Sequence, residues 1–552
     1  MIGHPGARSS NVAAAKYRAE RTWQDKTSAQ NFDAFVERDP TRMSLRQGTL
    51  HLTREALRHD AARLAHTLQR MGLRRGDVVS FMTPNWPEAA VLHLAASMTG
   101  LIVNPIVPIY RAAESRFILQ DCASKLLVVP ETFRGFDYLE MAKALRADLP
   151  ELRHIVTVRG TQRDGALSFS DLVEQGASAA FVPVPVDPDS IKLILYTSGT
   201  TGRAKGVLHS HNTIGAEIRN LTAHWSITER DTVFMPSPLT HITGYLYGIQ
   251  LVLSVGCKAV YLDEWNAAIA FDLIANEQCT FCVGATPFLQ QLRETAQSRH
   301  RTLDSLRYFA CGGAPVPPDL IYSAREAMPE CVVCRVYGST EAPTITWGPT
   351  SKQENLAATT DGLVVGHEVK LVTADGRVAG VGEEGEVLTR GPEVFLGYTN
   401  SQDTADAFDE EGYFRMGDLA RWSAPGWLTI TGRVKDLIIR GGENISAKEI
   451  EDVLHQHPAI REAAVVAAPH PKLGETCCAF VILESGASLT LQQVVEFVAQ
   501  MGLAKQKTPE RLEIVAEFPR TAAGKIRKVE LRERVAAQCV SAGNTARNDL
   551  RG

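Results

Sequence analysis

Apolar and polar positions along the chain follow two alternating rhythms. Short apolar runs such as "DVVSFMTP" (Asp77–Pro84), "LIVNPIVP" (Leu101–Pro108) and "KLLVVP" (Lys125–Pro130) have the length and β-branched content of strands buried on both faces. Between the first two lies "WPEAAVLHLAASMTG" (Trp86–Gly100), long enough for a helix and closed by a glycine. Strand and helix in alternation predict β-α-β units around a buried, largely parallel sheet. A proline-rich connector, "VPVPVDPDS" (Val182–Ser190), precedes a second α/β series. That series contains "TVFMPSPLTH", a long apolar helix pattern, "KAVYL", "FCVGATP", "LRYFACGGA" and "CVVCRVYGSTE".

Beyond about residue 360 the pattern changes to short strands with glycine-rich turns, as in "HEVKLVTADGRV" and "EEGEVLTRG", which predicts a small barrel or distorted sheet. After Gly432 a compact segment alternates strand and helix and turns basic toward its end. The expected class is therefore α/β. It comprises a large N-terminal domain of stacked α/β sheets with a barrel-like subdomain (residues 1–431), a hinge (432–436) and a small, mobile C-terminal α+β domain (437–552). A length of 552 residues agrees, since single cores stop growing near ~250–300 residues.

One stretch carries chemistry on its face. "YTSGTTGRAKGV" (Tyr196–Val207) joins glycines, hydroxyls and a lysine between two predicted strands, "IKLILYT" and "GVLHSH". Glycines let backbone N–H groups approach a phosphate, and the lysine adds a point charge. The spacing is not that of the helix-opening G-x-x-x-x-G-K-[ST] loop. A formal net charge of −5 gives no global attraction to nucleic acid, so a polyanionic ligand must be held locally. No apolar run approaches membrane-spanning length, and "MIGHPGARSSNVAAAKYRAERTWQDK" lacks the apolar core of a signal peptide; the expected location is cytoplasmic. Two C-x-x-C pairs, Cys279/Cys282 and Cys331/Cys334, have metal-site spacing. Their β-branched and aromatic surroundings predict strands, where positions three apart face opposite sides, so buried free thiols are expected.

Taken together, the polar clusters resemble the adenylate-forming superfamily of acyl- and aryl-CoA synthetases, adenylation domains and beetle luciferases. "YTSGTTGRAKGV" matches its phosphate loop; "VYGSTEAP" (Val336–Pro343), "YFRMGDLA" (Tyr413–Ala420), "GRVKDLIIRGGENISAKEIE" (Gly432–Glu451) and "PRTAAGKIRK" (Pro519–Lys528) match later motifs in order. The resemblance implies ATP, magnesium (Mg2+) and coenzyme A as co-substrates and ligands. It sets Thr197, Ser198, Gly199, Thr200, Thr201, Gly202 and Lys205 around the β- and γ-phosphates, and Gly312, Gly313 and Ala314 beside the adenine. Tyr337 would lie flat against the adenine, Thr340 on the α-phosphate and Glu341 on the magnesium, with Gly338 counted among the cofactor-binding residues. Asp418 would accept the ribose hydroxyls, with Arg433 near the ribose and phosphates. Lys525 would bridge the substrate carboxylate and the α-phosphate. After adenylation the small domain would turn about Lys435, bringing Gly441 and Gly442 to the thiol tunnel. Met416 and Ala447 depart from the family's usual threonine and proline without removing a needed charge or donor. His211 is given no role, because Ser210 or Asn212 capping the next helix explains its stretch equally well.

The implied chemistry is attack of a carboxylate on the α-phosphorus of ATP, then displacement of AMP by a thiol. CoA and a carrier protein both fit as the thiol; a luciferase-like oxygenase or a non-catalytic nucleotide sensor fits less well with Lys525, Glu341 and Asp418 all present. The resemblance also places His241, counted among the catalytic residues, with Thr243, Tyr245, Val283, Gly313 and Gly338 near the acyl pocket. Amino-acid-activating members of the family place an aspartate after "PL" to pair the α-ammonium; Pro236 to Gln250 contains no acidic residue, so the resemblance implies an apolar monocarboxylic acid. This stretch, with "YLDEWN" and "VGATPFLQ", most resembles ligases of alicyclic and medium-chain acids, which implies a cyclohexanecarboxylate-like or medium-chain acid, with aryl or steroid side-chain acids as alternatives. A homodimer, and a lysine acetyltransferase acting at Lys525, are further partners the resemblance suggests.

Overall fold

The apolar runs form two sheets dominated by parallel pairs. The strands of the first follow one another from edge to edge in the order Leu167–Ser168, His154–Val158, Leu126–Pro130, Val78–Phe81, Ile102–Pro105, Ile191–Thr197, Lys205–Ser210, Gly397–Tyr398. Pairs from Leu167–Ser168 through Ile191–Thr197 are parallel, and the last two are antiparallel. The second sheet runs Val332–Arg335, Tyr308–Cys311, Phe281–Gly284, Thr232–Met235, Lys258–Tyr261, Met43–Gln47, Leu50–Thr53, parallel except for its final hairpin. The structure, a computed structural model, describes residues 11–160, 165–177, 181–197, 203–313, 316–352, 354–440, 443–520 and 524–548.

Helix Pro87–Thr99 shows why the first unit is layered. Every residue of it except Glu88 is buried, as expected of a helix apolar all round. It packs against helix Arg54–Arg70 and against a strand of each sheet, Ile102–Pro105 and Met43–Gln47. Proline at its first turn fixes φ where no N–H partner is needed, and Gly100 ends it at φ 72°.

By compactness the chain divides into two units, Met1–Glu368 with Thr389–Phe414, and Val369–Leu388 with Arg415–Gly552. In a sheet lying largely in the second, Trp427–Arg433 is beside Phe414–Ala424, followed by Gly385–Arg390 and Glu368–Val372. Further along, Gly474–Leu483 pairs with Ile460–His470 and, in parallel, with Arg511–Ile514. Residues alternate between its two faces: Val465, Cys477 and Val481 join a core with Ile450 and Leu454, whereas Val466, Cys478 and Phe480 join one with Leu531 and Val535.

All ten cysteines are free and nine are buried. Burial pushes the Cys279 thiol up to about 12, so it stays protonated. No helix among the described residues is long and apolar enough to cross a membrane.

A buried cation secures the N-terminal helices to the second sheet's connections. The Arg54 side chain is fully buried; Nη2 donates to Gly256 O (2.6 Å) and meets Glu229 Oε2 (3.2 Å), and Nη1 donates to Phe35 O (3.2 Å). Gly256 closes helix Leu251–Val255 in the left-handed region, φ 72°. Arg54→Met keeps much of the volume but strands these acceptors. It should lower the stability of the first unit by about 2–3 kcal/mol, measured as a shift of its denaturant transition.

Candidate active site

The phosphate-loop candidate sits on a hairpin. Its strands pair from Ile191↔Ser210 to Thr197↔Lys205, so Thr197 and Lys205 face each other at the loop's base. Ser198, Gly199, Thr200, Thr201 and Gly202 lie outside the described residues. Lys205 Nζ is 2.8 Å from Asp403 Oδ1 and 5.0 Å from the centre of the Tyr398 ring. A third strand, Gly397–Tyr398, closes on the hairpin so tightly that a Cβ on Gly206 would lie 2.6 Å from Thr399. Asp121 receives the hydroxyls of Tyr196 (2.6 Å) and Thr399 (2.9 Å) beside this junction.

The second candidate stretch is the loop between strands Val332–Arg335 and Thr346–Trp347. Tyr337 N donates to Thr346 Oγ1 (3.1 Å), and Ser339 Oγ accepts from the backbone of Glu341 (3.2 Å) and Ala342 (3.3 Å). Gly338 has no alternative here, since a Cβ would lie 2.0 Å from Pro343 O. Thr340 is buried, and its carbonyl meets His209 Nε2 at 2.8 Å. Burial brings the His209 imidazole down to about 4, so the ring is neutral; a carbonyl can only accept, which places the proton on Nε2. The Glu341 carbonyl accepts from Phe395 N (2.8 Å), and Glu341 Oε1 accepts from the Tyr398 hydroxyl (2.9 Å). Lys205 and Glu341 thus meet opposite parts of one tyrosine.

Behind this loop, Tyr247 OH donates to Glu217 Oε1 (2.9 Å) and lies 2.7 Å from Thr344 Oγ1. Burial, with the nearby Glu393 charge, raises the Glu217 carboxyl to about 8, so a neutral acid anchors this cluster at neutral pH. Tyr247 belongs to a π-helical segment, Tyr245–Gln250, within the expected long apolar helix.

Gly312 lies against the same loop: a Cβ would sit 2.7 Å from Val336 O, and Gly313 has φ +81°. Ala314 lies outside the described residues. His241 caps the short helix Ile242–Gly244, its Nδ1 accepting from Thr243 N at 3.4 Å. Tyr245 is fully buried with its hydroxyl 3.3 Å from His93 Nδ1, and Val283 is buried. His211 opens helix His211–Trp225, whose cap is Ser210 in a reciprocal pair with Thr213. Asn212 instead bonds Asp25 and Asp189.

In the second unit, Asp418 and Arg433 are cross-strand partners, and Arg433 Nε donates to Asp418 Oδ1 at 2.9 Å. Asp418 is buried and Arg433 exposed. Lys435 follows in the 3₁₀ turn Val434–Asp436, where its carbonyl accepts from Arg532 (3.4 Å) and Asp436 pairs with the same guanidinium. Lys525 sits in a hairpin closed by the Arg520↔Ile526 bridge and by Arg527 N to Pro519 O (2.8 Å). Nearby Lys528 is structural, paired at 2.6 Å with the buried Glu451. Gly441 and Gly442 lie outside the described residues.

Sequence reasoning did not single out Tyr398, Asp403, His209 or Glu217. Their signal is tertiary: Tyr398 stands 57 positions from the glutamate it contacts.

The chain matches the profile of the AMP-binding enzymes over residues 32–399 and that of the AMP-binding enzyme C-terminal domain over 449–525. It is 36% identical over 526 residues to a medium-chain fatty-acid–CoA ligase of Escherichia coli K12, covering 94% of this chain and 92% of that protein. It is 32% identical over 534 residues to a salicyl-AMP ligase / salicyl-S-ArCP synthetase of Mycobacterium tuberculosis, covering 93% and 92%. Its fold superposes on ATP-bound MatB from Rhodopseudomonas palustris with a TM-score of 0.83 at 27% identity, over 92% of this chain and 99% of that one. The chain therefore belongs to the AMP-binding enzymes, in the acyl-CoA synthetase branch of the adenylate-forming superfamily, and is an AMP-forming acid–thiol ligase.

Proposed function

We propose that the protein activates an apolar monocarboxylic acid, medium-chain or alicyclic, as its acyl-adenylate and transfers the acyl group to coenzyme A. The observation that carries this reading is the meeting of Lys205 and Glu341 at Tyr398, a cation of the kind that suits phosphate and a hard oxygen donor of the kind that suits magnesium. The E. coli relative's medium-chain acid and the absence of an acidic residue between Pro236 and Gln250 support the choice of acid. The mycobacterial relative, named for salicyl transfer to ArCP, supports a carrier protein as the second reading of the acceptor.

In the first half-reaction a substrate carboxylate oxygen bonds to the α-phosphorus of ATP and pyrophosphate leaves. Lys205, with the hairpin loop, holds the outer phosphates, and Thr340 donates to the α-phosphate. Glu341 suits magnesium: Oε1 takes the tyrosine hydroxyl, and Oε2 has no hydrogen-bond partner among the described residues. Bound there, the ion would neutralise phosphate charge. Lys525 contributes positive charge between carboxylate and α-phosphate. In the second half-reaction the CoA thiol attacks the acyl carbon, AMP leaves, and the thiol proton passes to solvent or AMP. No protein nucleophile is required, so positioning and charge stabilisation carry the rate.

ATP–pyrophosphate exchange across a panel of acids, followed by CoA consumption, tests the assignment. Exchange should be strongest with C6–C12 or cyclic acids; strong exchange with amino acids and none with these would overturn it. Lys525→Ala should reduce adenylation by several orders of magnitude while CoA transfer from supplied acyl-AMP largely survives; equal loss of both steps contradicts the assigned role. Acetylation of Lys525 removes the same charge and should inactivate the first step reversibly, checked by exchange before and after deacetylation.

Lys435 is the proposed pivot between the half-reactions, and it lies in a short 3₁₀ turn of the kind that connects elements. Proline fixes φ near −65°, so Lys435→Pro should preserve pyrophosphate exchange while thioester formation from acyl-AMP collapses. Parallel decline of the two rates would place the pivot elsewhere.

A further inference from the structure

The Tyr398 side chain is almost wholly buried, and its two ends do different work. Its hydroxyl donates to Glu341 Oε1 at 2.9 Å, while its ring lies 5.0 Å from Lys205 Nζ. Its backbone is fixed as well: Tyr398 N donates to Thr404 Oγ1 (2.8 Å), and Tyr398 is paired with Val207, two positions beyond Lys205. Packing against Phe395, with ring centres 4.8 Å apart, restricts the ring further.

We propose that Tyr398 is a positioning residue that aims the Glu341 carboxylate with its hydroxyl and seats the Lys205 ammonium with its ring. The proposal rests on the roles of Glu341 and Lys205 given above. A carboxylate that spends one oxygen on a fixed donor presents the other in a defined direction, which suits a cation requiring near-octahedral geometry. The contact has one sense, since a carboxylate oxygen accepts and the phenol O–H is the donor. The ring face attracts the ammonium electrostatically and limits its orientations. Asp403, 2.8 Å from Nζ, balances the charge of Lys205 and competes with phosphate for it.

Two substitutions separate the two tasks. Tyr398→Phe keeps the ring and loses the donor; Tyr398→Leu loses both. Binding of ATP to the full-length protein is measured by calorimetry, once with magnesium and once in EDTA, with thermal melting as the check on folding. Tyr398→Phe should weaken magnesium-ATP binding about tenfold, as expected for a lost hydrogen bond to a charged group, and leave ATP binding in EDTA within about twofold. Tyr398→Leu should also weaken binding in EDTA by roughly threefold, the scale of a cation–π contact whose ammonium stays partly hydrated. Glu341→Gln is measured beside them. If it abolishes the magnesium effect while Tyr398→Phe matches the wild type, the positioning role is overturned and the ligand role of Glu341 stands. If Glu341→Gln leaves the magnesium effect intact, the reading of Glu341 fails, and the positioning role fails with it.

Discussion

The segment Phe395–Thr399 is the constraint to which the first unit's site is tied. Its backbone bonds to the hairpin that carries the glycine-rich stretch, Leu396 N to Leu208 O and Thr399 N to Gly206 O, both 2.8 Å. The same segment reaches the Tyr337–Glu341 loop through Phe395 N to Glu341 O, also 2.8 Å. Two pieces of chain that leave different sheets are thereby referenced to one short strand. Gly206 permits this because a side chain there would collide with Thr399. Buried backbone groups left without these partners would cost free energy comparable to a hydrogen bond each, so these bonds favour this arrangement of the strand, the hairpin and the loop.

Electrostatics then refine what the backbone sets. Around the loop, buried groups are held neutral: His209 by burial, and Glu217 by burial together with Glu393. With these supporting groups uncharged, the charged side chains set on Tyr398 are Glu341 and the Lys205–Asp403 pair, and the proposed phosphate and magnesium roles fall to Lys205 and Glu341. A low-dielectric surround strengthens such charges toward a polyanion and its metal.

Much of this was legible in the sequence because the signals are local. Apolar runs such as Val78–Phe81 and Leu126–Pro130 exceed what an exposed strand would carry, and both are interior strands. The hairpin around the glycine-rich loop was readable from the runs on either side of it. The π-helical register of Tyr245–Gln250 was not, since apolar content is indifferent to a single added residue per turn. Nor was the attachment of Met43–Gln47 to Lys258–Tyr261, whose pairing depends on chain segments far apart in sequence. Among the candidate residues, Lys205 and Glu341 of the first unit and Asp418 and Lys525 of the second each stand in recognisable polar clusters. Tyr398 and Asp403 stand among ordinary turn residues, and only folding brings them to Lys205.

Everything proposed for the chemistry requires that the acid pass through an acyl-adenylate, and oxygen from the substrate records whether it does. With a medium-chain acid labelled by 18O in both carboxylate oxygens, ATP, magnesium and CoA, the released AMP is analysed by mass spectrometry. One labelled oxygen is expected in AMP and none in pyrophosphate, because the bridging carboxylate oxygen leaves with the α-phosphate when the thiol attacks. Unlabelled AMP alongside thioester product, or label in the pyrophosphate, would contradict an adenylate intermediate.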